Sequence, residues 1–187
     1  MSYGQIGSAL TGTIAATTNG ALWILRFPEL PANVTGEPLE IRRMHVHWTT
    51  LAAFSGLVTA SRGLKLLLAK PDQMPKAVLP TGGAAFSLAH KLPGDNETLA
   101  HGVVATTTAL TTSGYTLRPD VRARMSLVHA GAAGASFDQV WRFDGIEAEP
   151  LWLPTGWLAV LATEGALDAG GTGQLKVDVD ARTLRRD

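Results

Sequence analysis

Leu175-Lys176-Val177-Asp178-Val179-Asp180 is the stretch that decides the fold class. Successive side chains of an extended strand point to opposite faces. Leu175, Val177 and Val179 therefore share one face, and Lys176, Asp178 and Asp180 the other. One side is buried and one is wet, which is the period of a strand on the surface of a β protein.

Working back along the chain, similar signals recur. Gly170-Gly171-Thr172-Gly173 reads as a hairpin turn before that last strand. Leu151 to Ala162 is an apolar strand interrupted by Pro154-Thr155-Gly156, and Phe137 to Phe143 reads as a short edge strand. Arg122 to Ala130 is a further strand, followed by the linker Gly131–Gly134. His101 to Leu110 reads as a strand with threonines on its wet face, and the Pro- and Gly-rich residues 71–100 as mainly loop. Gly63 to Lys70 is a strand closed by Pro71, and Ala21 to Phe27 one closed by Pro28. Between them a loop carries Pro31, Asn33, Gly36 and Pro38.

Leu39 to Thr50 changes phase. Leu39 and Ile41 share one face, but so do Met44, Val46 and Trp48. An odd-to-even switch needs one extra residue, so a β-bulge is expected near Arg42–Arg43. No helical period is sustained over three turns; Ser55 to Leu68 is rich enough in leucine for a short helix, but Gly56 and Gly63 weaken it. About eight strands at this spacing predict an all-β fold, an antiparallel β-sandwich or jelly roll. Residues 1–20 are small and polar and have no core of their own. They are expected as an extended N-terminal arm, held by the domain or a neighbouring subunit, with 21–187 as a single domain.

Composition narrows the function. The formal net charge of the 187 residues is +0, so nothing favours nucleic acid or anionic lipid as a partner. Charged residues make up only 17%, below the usual quarter, which predicts surface covered by partners. There is no cysteine, which removes disulfides, thiolate metal sites and cysteine catalysis together. The start Met1-Ser2-Tyr3-Gly4-Gln5 lacks the regions of a signal peptide, and no apolar run approaches the roughly 20 residues of a membrane span. The expectation is synthesis in the cytoplasm.

His45-Val46-His47 is the best metal candidate, because residues two apart on a strand point the same way. The residues that follow, Trp48-Thr49-Thr50-Leu51-Ala52, supply no carboxylate, and the phase that buries Val46 and Trp48 turns both histidines outward. Two surface or interface histidines are expected, with His90, His101 and His129 as ordinary polar residues. No Gly-x-Ser-x-Gly elbow occurs, and Gly131–Ser136 reads as a linker rather than a nucleophile turn. Gly170–Gly173 lacks the Lys-Ser/Thr ending of a phosphate loop and precedes a strand. Asp144, Glu147 and Glu149 fit no calcium loop and read as solvated acids. Of the five tryptophans, Trp23 and Trp48 lie inside apolar strands and read as core. Trp141, Trp152 and Trp157 lie nearer strand ends, where a ring is half exposed. Exposed aromatics serve sugar binding and protein interfaces alike. No catalytic, cofactor-binding or metal residue is assigned.

The order of these segments carries a resemblance. A small-residue Thr/Gly arm precedes the strand Ala21–Phe27 and a bulged strand ending Trp48-Thr49-Thr50, with Phe54 after it. Leu66-Leu67-Leu68-Ala69-Lys70, Leu153-Pro154-Thr155-Gly156-Trp157-Leu158-Ala159-Val160 and the closing Gln174–Asp180 follow. This resembles the small β-sandwich virion structural proteins of tailed bacteriophages. The likeness is loose over most of the chain and weakest over 71–120. It implies no enzyme and no cofactor. It implies a virion location as a capsid decoration or cement protein, or as a tail or head-fibre component, in contact with a major capsid or tail protein. A carbohydrate-binding module is the alternative. The low charge and the coreless arm predict a homo-oligomer, a trimer, whose arm crosses to a neighbour or to the supporting shell.

Overall fold

The computed structural model describes residues 2–27, 38–55, 62–73, 79–92, 99–127, 131–144 and 149–184, with the side chains of Ser2, Tyr3 and Leu184 left aside. The strands are β1 (Ser2–Leu10), β2 (Ile14–Ala15), β3 (Ala21–Arg26), β4 (Leu39–Ala52), β5 (Gly63–Pro71), β6 (Gly83–Ser87) and β7 (Ala89–His90). The second half supplies β8 (His101–Ala105), β9 (Tyr115–Leu117), β10 (Ala123–Ser126), β11 (Ser136–Arg142), β12 (Leu151–Leu153), β13 (Leu158–Thr163) and β14 (Thr172–Leu184). The described residues contain no helix, so none is long and apolar enough to cross a membrane.

Two antiparallel sheets pack together as a β-sandwich. The first has the order β11-β4-β14-β1-β7, with β12 also on β4 and β2 also on β14. The second has the order β10-β5-β13-β3-β8-β6, with β9 also on β5. The alternating strand β14 is the spine of the first sheet: Gly173, Leu175, Val177, Val179, Ala181 and Thr183 are buried in strict alternation. Its register sets Leu175 opposite Trp48, Val177 opposite Val46 and Val179 opposite Met44, so the inner faces of β14 and β4 form one apolar layer. In the second sheet every residue of β3 and β13 is buried, which is why both read as unbroken apolar runs.

The bulge expected near Arg42–Arg43 is present. The ladder passes from Asp180↔Arg43 to Ala181↔Ile41 and leaves Arg42 without an opposite number on β14. That extra residue lets Leu39, Ile41, Met44, Val46 and Trp48 all reach the core. A second irregularity, between Thr172↔Ala52 and Gly173↔Thr50, leaves out Leu51, which is exposed.

Four expectations change. Residues 1–20 are not an arm: β1 lies inside the first sheet between β14 and β7, in register from Ser2↔Leu184 to Leu10↔Lys176. Gln5, Ala9, Ile14 and Ala16 are buried, and the Gln5 side chain accepts the Ala100 N–H at 2.9 Å. Such small residues build no core alone but complete one when paired. Thr11 ties this stretch to β14 through the bond from Leu175 N to its hydroxyl at 2.9 Å, and Gly12 N reaches Ala105 O of the other sheet. Secondly, residues 71–100, expected as loop, contain β6 and β7. Gly83-Ala84-Ala85-Phe86-Ser87 has little intrinsic strand signal, and pairing with β8 holds it extended.

Thirdly, Gly170–Gly173 is no hairpin turn: β13 belongs to the second sheet and β14 to the first, so these residues carry the crossover between them. Pro154-Thr155-Gly156 makes the opposite transfer, from β12 to β13. Fourthly, Gly131–Gly134 is tied down: Gly131 O accepts Phe54 N at 2.8 Å, and Gly134 N donates to Thr50 O at 2.8 Å. Of the segment considered for a short helix, Gly63–Leu68 is strand, and 56–61 lie outside the described residues. Pro31, Asn33 and Gly36 lie outside them too.

Candidate functional site: a carboxylate-bridged histidine pair

A cluster of titratable side chains in register stands on the outer face of the first sheet. Because Val46 and Trp48 point into the core, His45 and His47 point out, each with about a third of its side chain exposed (34% and 31%). The antiparallel neighbours complete the group. β11 sets Asp138 opposite His47, and β14 sets Asp178 opposite His45 and Lys176 opposite His47.

One carboxylate oxygen holds both rings. Asp138 Oδ1 accepts from His45 Nε2 at 2.8 Å and from His47 Nδ1 at 2.7 Å. With Nδ1 of His47 carrying the proton toward Asp138, its Nε2 is free to accept the Thr49 hydroxyl at 2.9 Å. On the far side His45 Nδ1 lies 3.6 Å from Asp178 Oδ2, and Lys176 Nζ lies 3.4 Å from the same oxygen. The hydrogen bond from His47 pulls the Asp138 carboxyl below its ordinary value of 3.8. Partial burial opposes that shift, and the bond from His45 adds to it.

The ring nitrogens that converge here are directed at a carboxylate as N–H donors, whereas a metal takes their lone pairs. Among the described residues no group of three or more His, Asp or Glu side chains could hold a metal ion. The carboxylates absent from Trp48–Ala52 do exist, but they arrive from β11 and β14. Their positions, Asp138 and Asp178, lie far along the chain, so the only signal for them was the even spacing of polar residues on each strand.

The other candidates disperse. His101 Nδ1 and the Ser87 hydroxyl lie 2.7 Å apart across the β6–β8 ladder. His90 lies on β7 opposite Gln5, and His129 is outside the described residues. Asp144 accepts from Arg42 at 2.8 Å and Glu149 from Arg122 at 2.9 Å, so the two acids serve different cations. Glu147 is outside the described residues. None of the five tryptophans is exposed: Trp23, Trp48 and Trp141 are buried, and Trp152 and Trp157 partly so. The half-exposed ring expected at Trp141 is in fact packed in the core.

Compared with known proteins, the chain matches no family model and no curated relative.

Proposed function

We propose that this chain is a non-enzymatic building block that works by packing against other protein subunits, as a decoration protein on the capsid of a tailed phage. The observation that carries the reading is the edge formed by β6. Along one side Gly83-Ala84-Ala85-Phe86-Ser87 pairs with β8; among the described residues no strand pairs with its other side. An open edge offers a row of backbone donors and acceptors to another chain. Edges are commonly blunted by charge, proline or a bulge, and β6 has none of these. Of the other edge strands, β11 carries Asp138 and Arg142, β10 carries Arg124, and β2, β7, β9 and β12 are only two or three residues long, while β1 is covered by β7 only at Gln5 and Ile6.

Further support comes from the low charged fraction of 17% and from Ile6, Leu10, Leu51 and Val140, which are exposed on the outer face of the first sheet. A stiff sandwich seated across a junction of shell subunits adds contacts that must break before the shell opens. Each copy needs only an ordinary interface of about 1,000–2,000 Å², since many copies act together. A tail or fibre placement uses the same physics with fewer copies. The lack of an exposed tryptophan platform counts against a carbohydrate-binding module.

Two measurements test the proposal. Light scattering on the purified protein should give an oligomer that Ala85→Lys returns to monomer with an unchanged melting temperature. A mass of two copies selects β6 against β6, and three copies selects β6 against a different edge of the next copy. Particles made without the protein should lose their DNA at a lower temperature than complete ones. Particles of undiminished heat resistance, with the protein found only at the tail, would refute the decoration role.

A further inference from the structure

We infer that Arg43 and Arg142 form a binding site for a single oxyanion group on the outer face of the first sheet. The register of β11 on β4 sets Arg142 directly opposite Arg43, and both are exposed. Directly opposed residues share a face, with Cβ atoms about 4.5–5.5 Å apart, and like charges so placed repel. A structural role for such a pair requires an acid between or beside them. Among the described residues, each acid near this corner is engaged elsewhere. Asp144, two residues beyond Arg142, accepts from Arg42 at 2.8 Å. Asp180, which faces Arg43 from β14, is bound by Lys91 at 2.6 Å. Glu149 is bound by Arg122 at 2.9 Å. Among the described residues neither Arg43 nor Arg142 has an ion pair or side-chain hydrogen bond of its own.

The bulge contributes to this arrangement. By inserting Arg42 into β4 it places two consecutive arginines at the corner, and the first of them takes Asp144. Arg43 and Arg142 then stand opposite each other in the register, and among the described residues no carboxylate lies within ion-pair distance of either, with Asp180 facing Arg43 from β14 but held by Lys91. Guanidinium groups match carboxylate, phosphate and sulfate oxygens with paired hydrogen bonds, so two of them can close on one such group from both sides. Arg142 also lines a shallow cleft of about 170 Å³ with Arg122, Phe143, Glu149, Pro150 and Leu151, in which Glu149 is held by Arg122.

The site fits one anionic group and not a strand of them. Asp144, Asp178 and Asp180 surround the pair, so the positive field is a spot rather than a stripe, and a nucleic-acid backbone laid across it meets acids on either side. The ligand is therefore a free phosphate or sulfate, or a carboxylate on an acidic segment of a partner protein. This inference is independent of the self-association of β6.

The test is an NMR titration of the arginine Nε–H signals of the full chain, first with inorganic phosphate and then with a short Asp/Glu-rich peptide. Saturable shifts are expected at Arg43 and Arg142 and not at Arg124, which lies on the second sheet and is paired with Glu164. Arg43→Gln or Arg142→Gln should weaken binding at least tenfold. Each variant relieves repulsion, so without anion its melting temperature should equal or exceed that of the parent. Phosphate should raise the melting temperature of the parent alone. Saturation by phosphate with no gain from the peptide assigns a free oxyanion; tighter binding of the peptide assigns a partner's carboxylates. No saturable shift with either probe, or equal shifts at Arg124, overturns the site.

Discussion

Gly173 on β14 and Trp48 on β4 occupy adjoining space in the core: a Cβ on the glycine would lie 2.2 Å from Cζ2 of the indole. Trp48 is fully buried and donates from Nε1 to the Thr50 hydroxyl at 3.1 Å, so the ring has little room to yield. Gly173→Ala is therefore expected to destabilise the fold by about 1–3 kcal/mol, the usual cost of overpacking. Urea denaturation should find the midpoint lowered with an unchanged slope.

The segment after β13 is anchored by a buried ion pair. Arg62 Nη2 and Asp168 Oδ1 are 3.3 Å apart with both side chains only 6% exposed, and Arg62 Nε also donates to Leu167 O at 2.7 Å. The guanidinium lies 4.8 Å from the Phe54 ring centre. Removing one partner strands a buried charge, so Asp168→Ala should cost about 3–5 kcal/mol. Adding Arg62→Met to that variant should recover part of the loss. Two losses that simply add in the double variant would show that the pair is not coupled.

Deletion of residues 2–10 should unfold the domain or lower its melting temperature by many degrees. β1 fills the place between β14 and β7, so its loss opens a long edge on β14 and uncovers the core beside Ala9 and Gln5. A truncated protein with native stability would mean that β1 lies on the sheet without contributing to it.

The Asp138 bridge predicts a small acid-dependent term. A carboxylate whose folded value is pulled below 3.8 stabilises the fold at pH values above that figure. The contribution fades as the pH falls through the lowered folded value. Asp138→Asn removes it, so the parent should be the more stable protein from about pH 5 upward, with the gap closing in stronger acid. Because the side chain is half exposed (53%), the gap should not exceed that of a surface pair, roughly 0–1 kcal/mol. Melting curves of both proteins across that range provide the check, and a gap that widens in acid contradicts the assignment.

What this chain's sequence determined by itself is local. Alternation at Leu175–Asp180 determined which side chains of β14 face the core, because the period of a strand is two and any slip turns them all over. The odd-to-even switch at Ile41–Met44 likewise located the bulge, and the phase of Val46 and Trp48 turned His45 and His47 outward. What only the tertiary structure decided is which strand lies beside which. Residues 1–20 have too little apolar side chain to announce a strand, and become one only because β14 offers an edge that they complete. β6 is the same case, held extended by β8. The sites depend on this entirely: Asp138 meets His47, and Arg142 meets Arg43, only through the register of β11 on β4 across some ninety residues of intervening chain. The face a side chain takes follows from the two-residue period of its strand, but register follows from the closing of the whole sandwich around one core.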